Sequence, residues 1–285
     1  MIRPARYVSP RPPSLAGDRR VIQVGAVQYL NTKPLVHRLA GAGLDVAYDL
    51  PSRLAHRLAA GELDVALVPV VEVFRHPEHT IVSDACIACR GPVMSVKLLF
   101  RTAPSRVATL AVDEGSRTSE SLARILLAER FGITPRLETL PIGSSSDDTV
   151  ADAVLLIGDR ALGPADARGS FQLVWDLGDE WCRWTGLPFV FAVWAARATE
   201  SLPGLAERLA AARDAGKANL AAIAAAEADR HGLTVPQCLS YLRDNLHYDL
   251  GTPERAALRL FHDYALRLGL VPDVPAGGVP RILSP

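Results

Sequence analysis

The sequence predicts an α/β protein of two lobes with a ligand cleft between them. Three features carry that reading. Short apolar, β-branched segments alternate with helical periodicity through the first two-thirds of the 285-residue chain. The alternation falls into two blocks, 21–99 and 100–191, each long enough for a small sheet with covered faces. After a strongly apolar stretch at 187–196 the pattern is almost wholly helical.

Taken in order, 21–27 is the first buried strand, and 34–40 is a short helix entered through Pro34 and ended at Gly41. Residues 44–49 are a second strand. Residues 52–60 are an amphipathic helix, with Leu54, Ala55, Leu58 and Ala59 on one face. The run "LDVALVPVVE" at 63–72 reads as a buried strand that runs into a proline. In the second block, 107–112 is a strand, "SRTSESLARILLAERFG" opens a helix that stops at Gly132, and 137–141 and 153–157 are further strands. Helices follow at 202–231, 235–245 and 253–268.

This order places 21–99 and 192–285 in a first lobe and 100–191 in an inserted second lobe. The strands at 93–100 and 189–194 would form the hinge. The architecture is that of a type II periplasmic-binding-protein-like fold. Residues 1–20, rich in Arg and Pro, are read as a disordered lead.

Composition narrows the partners. Lys+Arg and Asp+Glu are equal at 31 each, with no long basic run, so no nucleic-acid footprint is expected. No apolar run approaches a membrane span, and the opening segment lacks the apolar core of a secretory leader. A cytoplasmic protein is therefore expected, of undetermined oligomeric state.

In open α/β sheets ligands bind beyond the carboxyl ends of the strands. Three turns fall there: 29–33 ("YLNTK"), 116–119 ("SRTS") and Pro69. The first two lead into helices, whose N-termini suit anions. Two such ends across a cleft would suit a small dicarboxylate. Asn, Thr and Ser before a helix are also ordinary caps, as is proline in its first turn.

Other signatures are missing. There is no G-x-S-x-G, P-loop or G-x-G-x-x-G. Cys86 and Cys89 form a C-x-x-C, but neither a second ligand pair nor a following helix supports zinc or redox chemistry, so they read as small residues of a β-like segment. His76 and His79 read as surface residues of a polar loop, 143–148 as a loop and cap, and Asp64 as a turn residue. No metal or cofactor is expected.

The motifs "VGAVQYLNTKPL", "GELDVALVPVVE", "GPVMSV", "SRTSESLARILL", "AVLLIGDRAL" and "WTGLPFVFAVWAAR", in register from 21 to 196, resemble the chorismate dehydratase family of the futalosine route to menaquinone. A sister enzyme on the same fold, which makes 1,4-dihydroxy-6-naphthoate, is similar in layout. The resemblance implies a carbon–oxygen hydro-lyase that converts chorismate to 3-[(1-carboxyvinyl)oxy]benzoate. It implies Asn31 and Ser95 as the catalytic polar pair. It also implies Ser116, Thr118 and Ser119 at one substrate carboxylate, and Thr185 and Gly186 in the cleft wall. Arg117 is read as a solvated first-turn residue. The matched motifs offer no obvious protein base, which is compatible with the substrate's enolpyruvyl carboxylate taking the proton. A solute-binding protein on the same fold, delivering a carboxylate to a transporter, is the non-catalytic alternative; it would require export.

Overall fold

The computed structural model describes residues 21–41, 43–163, 169–198 and 202–273. The lead expected at 1–20 and the tail beyond 273 lie outside the described residues.

Two mixed sheets form the framework. The elements of the first block are β1 (Ile22–Val27), a 3-10 helix (Leu30–Val36), β2 (Leu44–Asp49), α1 (Pro51–Ala59), β3 (Val65–Pro69), α2 (Val70–Arg75) and β4 (His79–Cys89). The second block holds β5 (Val96–Phe100), β6 (Thr109–Asp113), α3 (Thr118–Phe131), β7 (Arg136–Leu140), β8 (Ala153–Ile157), α4 (Asp159–Leu162), β9 (Leu173–Asp176) and α5 (Leu177–Thr185). The chain then runs through β10 (Phe189–Arg197), α6 (Leu205–Ala218), α7 (Leu220–Glu227) and α8 (Val235–Ser240). A π-helix (Tyr241–Asn245), β11 (His247–Asp249) and α9 (Thr252–Arg267) close it.

The first sheet has the order β11-β4-β10-β3-β1-β2 and the second β7-β6-β8-β5-β9. β1 pairs parallel with β2 and β3, and β6 pairs parallel with β7 and β8, the pairing that β-α-β crossovers produce. β10 threads back antiparallel between β3 and β4.

Several expectations are corrected. The strand read at 63–72 ends at Pro69, and Val70–Arg75 is helical: a fully buried apolar run does not reveal its period. The helix read at 34–40 is a 3-10 helix that begins earlier, at Leu30; Pro34 sits inside it and cannot donate the backbone bond an α-helix needs. The helix read at 202–231 breaks at Asn219 into two. The strands expected to cross between lobes do not: β5 lies wholly in the second sheet and β10 wholly in the first. The crossings are the short segments 90–95 and 186–188, so boundaries at 99/100 and 191/192 would cut both strands. His79 is no surface loop residue but the buried first residue of β4.

An aromatic cluster binds the second crossing to the first lobe. Trp181 of α5 meets Phe189 of β10 at 5.2 Å between ring centroids, and Phe189 meets Phe261 of α9 at 5.1 Å. Trp181 also donates from Nε1 to the Pro188 carbonyl at 2.9 Å. Three large rings buried in T-shaped contact fix where α5 stands relative to β10.

Candidate active site

The cleft opens where the strand ends of both sheets meet, around a narrow cavity of about 70 Å³ that continues into open solvent. Its walls are apolar, from Val27, Pro69, Ile87, Val93, Ile157 and Phe191. Its polar groups come from the two turns and the first crossing: Asn31, Ser95, Thr118 and Ser119, all lining the same space.

Asn31 is carried by the 3-10 helix. Its Oδ1 accepts from the Thr32 hydroxyl at 3.3 Å, and Thr32 is itself fully buried. The turn is backed by α6, where Gly216 packs directly on the Pro34 carbonyl and leaves no room for a Cβ. From the other lobe, Asp159 accepts a hydrogen bond from the Leu30 N–H at 3.0 Å. That N–H opens a helix and lacks an intrahelical partner, so the carboxylate acts as its cap. Asp159 continues through His231 (3.2 Å) and Glu227 (3.5 Å) to Lys33 (3.4 Å), back on the same turn.

Ser95 follows a tight reversal. Its N–H donates to the Val93 carbonyl at 2.8 Å across Met94, which has φ of 61°. A residue with a Cβ is strained in that region. Asp176 holds the reversal by accepting from the N–H groups of Val93 (2.9 Å) and Met94 (2.6 Å), while capping α5 through Gly178 and Asp179. Burial raises the Asp176 carboxyl above its ordinary range, against these four donors.

On the far side, α3 presents its N-terminus. Thr118 and Ser119 are buried there, and the Thr118 Oγ accepts from the Val71 N–H of α2 at 3.3 Å, joining the lobes a second time. Arg117, expected in solvent, lines the cleft and is its sole cation among the described lining residues. Ser116 does not join them. Its Oγ accepts from the Glu120 N–H at 3.1 Å, so it caps α3 and borders a separate hollow. Thr185 and Gly186 are not in the cavity wall either. Thr185 donates to the Trp181 carbonyl at 2.9 Å, and Gly186 ends α5 with φ of 70°. They form a helix terminus, which their sequence neighbourhood does not distinguish from a wall.

Two further residues stand at the site: Tyr29, which belongs to the 29–33 turn expected at the strand ends but carries no role of its own there, and Tyr241, which no motif marks. Tyr29, 7 % exposed, lines the cleft with its ring against Gly158, where a Cβ would meet it at 2.7 Å. Burial, then Asp113, pushes its phenol up, so it stays protonated. Tyr241 sits beneath the site, 1 % exposed, with Ser95 and Asn31 as polar neighbours. Its only sequence signal is an aromatic in a helical pattern.

Among the described residues no group of three His, Cys, Asp or Glu is arranged to hold a metal ion. Cys86 and Cys89 are free and buried; Cys89 faces Cys182 of α5, not Cys86. No described helix is long and apolar enough to cross a membrane.

Two α/β lobes closing on a polar-edged cleft define a protein of the periplasmic-binding-protein-like class. Solved structures agree at the level of fold. Protein AF1704 from Archaeoglobus fulgidus superposes with a TM-score of 0.65 at 16% identity, over 88% of this chain and 98% of its own. The periplasmic aliphatic sulphonate binding protein SsuA from Escherichia coli gives 0.63 at 15%, over 93% and 92%. Within that class the chain belongs to the menaquinone biosynthesis family, whose model matches residues 22–267. It is 34% identical over 265 residues to a chorismate dehydratase of Thermus thermophilus, covering 87% of this chain and 96% of that one.

Proposed function

We propose that the protein is a cytoplasmic chorismate dehydratase that forms 3-[(1-carboxyvinyl)oxy]benzoate in menaquinone synthesis. The observation that carries this is the convergence of Asn31, Ser95, Thr118, Ser119 and Arg117 on one apolar-walled cavity. Chorismate is a ring with two carboxylates and one hydroxyl. Arg117 and the α3 N-terminus match one carboxylate. Asn31 and Ser95 match the hydroxyl and the ring edge beside it.

The reaction needs no change of oxidation level. A proton leaves the ring carbon that bears the ether. That C–H is allylic and vinylogous to the ring carboxylate, so the electron pair delocalises toward it. The neighbouring carbon–oxygen bond then breaks, hydroxide leaves and takes up a proton as water, and the ring becomes aromatic. The cleft lining contains no Asp, Glu or His among the described residues. The proton acceptor in this reading is the substrate's own enolpyruvyl carboxylate. The protein's part is to hold that carboxylate over the C–H and to donate hydrogen bonds to developing negative charge.

The test is incubation of purified protein with chorismate and chromatographic detection of the enolpyruvyl benzoate. Product in proportion to enzyme supports the assignment; product at the non-enzymatic background overturns it.

A further inference from the structure

Tyr241 presents an energetic anomaly. Its hydroxyl is fully buried and no group meets it in full hydrogen-bonding geometry, although the Ser95 and Asn31 side chains lie close enough to interact with it. An unpaired buried hydroxyl destabilises a fold, and a phenylalanine of nearly the same shape would not carry that cost. Its near neighbour Tyr248, also buried, is instead paired: its hydroxyl donates to the Leu242 carbonyl at 3.1 Å. Folding therefore accounts for the Tyr248 hydroxyl and not for that of Tyr241.

Its surroundings supply a different reason. The polar side chains beside it are Asn31 and Ser95, which come from different segments and both line the cleft. Tyr241 does not line the cavity; it lies behind these two. It also opens a π-helix, Tyr241–Asn245, continuous with α8. A π-helical turn displaces a side chain from its α-helical position, and such turns recur at functional sites. Burial pushes the phenol well above its ordinary value, so it remains a neutral donor and acceptor.

The geometry points to Tyr241 as a positioning residue for the dehydration, setting the orientation of the Asn31 amide and the Ser95 hydroxyl from behind the cleft. The inference rests on the chorismate dehydratase reading. An amide and a hydroxyl each have several orientations of similar energy, and only some present a donor to substrate. One phenol between them couples the two choices. It is not itself the base, since a tyrosinate there would be buried without a cation to balance it.

The experiment compares Tyr241→Phe, Tyr248→Phe and wild type by steady-state kinetics on chorismate and by thermal unfolding. Wild-type activity comes first; its absence rejects the dehydratase reading and is distinct from every outcome below. Given activity, Tyr241→Phe is expected to lower kcat about tenfold, the worth of one orienting hydrogen bond completed when substrate fills the cleft, with KM little changed and the Tm of the unliganded protein equal to or above wild type. Tyr248→Phe is expected to lower Tm and leave kcat unchanged. A kcat for Tyr241→Phe within about twofold of wild type overturns the inference. So does an equal loss of kcat in Tyr248→Phe, which would mean that any buried phenol in this region matters alike.

Discussion

The Asp159 carboxylate, on the first residue of α4 just beyond β8, accepts the Leu30 N–H at 3.0 Å and so caps the turn that carries Asn31 in the first lobe. A residue of one lobe thus completes the backbone hydrogen bonding of a turn in the other. Thr118 does the same for Val71, the second residue of α2, at 3.3 Å. These hydrogen bonds between the lobes are therefore made by residues in or beside the cleft lining.

Asp159→Ala removes the acceptor and leaves the Leu30 N–H uncapped. A hydrogen bond to a charged group contributes about 1.5–3 kcal/mol, so kcat/KM on chorismate is expected to fall about tenfold or more. Asp159→Asn keeps a carbonyl acceptor and is expected to lose far less. Equal effects of the two substitutions would mean that charge, not capping, is what matters.

The same carboxyl makes a pH prediction. Burial raises its pKa, against the Leu30 N–H, His231 and Lys33. The folded protein then keeps a proton that the unfolded chain has already released. The stabilisation from this group is complete below the ordinary carboxyl pKa and is lost as pH rises through the raised one. The Tm of wild type minus that of Asp159→Asn is expected to shrink as pH goes from about 3.5 to 6. A difference that widens over that range contradicts the burial argument.

Asn31→Asp places a carboxylate beside a dianionic substrate. It also replaces a donor with an acceptor. The expected loss in kcat/KM is at least about 10²–10³-fold, with circular dichroism and Tm unchanged. Wild-type turnover in this variant would remove Asn31 from the site.

Arg117→Gln should separate binding from chemistry. If the guanidinium holds a substrate carboxylate throughout the reaction, KM rises about 10- to 100-fold while kcat changes little. An unchanged KM would return Arg117 to the solvated role that its sequence position suggests.

Gly216→Ala sets two effects of opposite sign against each other. Alanine is worth about 1 kcal/mol over glycine inside a helix. Here its Cβ would strike the Pro34 carbonyl, a backbone atom that cannot step aside. Overpacking typically costs about 1–3 kcal/mol, so the variant is expected to unfold at lower temperature and to lose activity through the displaced turn. A higher Tm would show that α6 can retreat.

The periodic parts of the fold were legible because periodicity is local. β1, β2, α1 and α3 are read from apolar spacing alone, and the turns at Asn31 and Thr118 from their places at strand ends. What was hidden depends on contacts distant in sequence. Val70–Arg75 is buried on nearly every side and so shows no helical stripe. Arg117 lies within a first turn, and only the position of the facing lobe decides whether it meets solvent or substrate. Ser116 and Thr118, two residues apart in one polar turn, divide into a cap and a cleft residue by the rotation of α3. Tyr241 reaches Asn31 across more than two hundred residues of chain, a proximity that no motif encodes.

The central claim is that this cleft dehydrates chorismate. Proton NMR of chorismate mixed with the wild-type protein, and separately with Asn31→Asp, tests it most directly. Dehydration at this site requires loss of the ring diene signals and growth of a meta-substituted aromatic set with the enolpyruvyl methylene retained, in the wild-type sample alone. Persistence of chorismate, or its conversion to free pyruvate and a hydroxybenzoate, would contradict it.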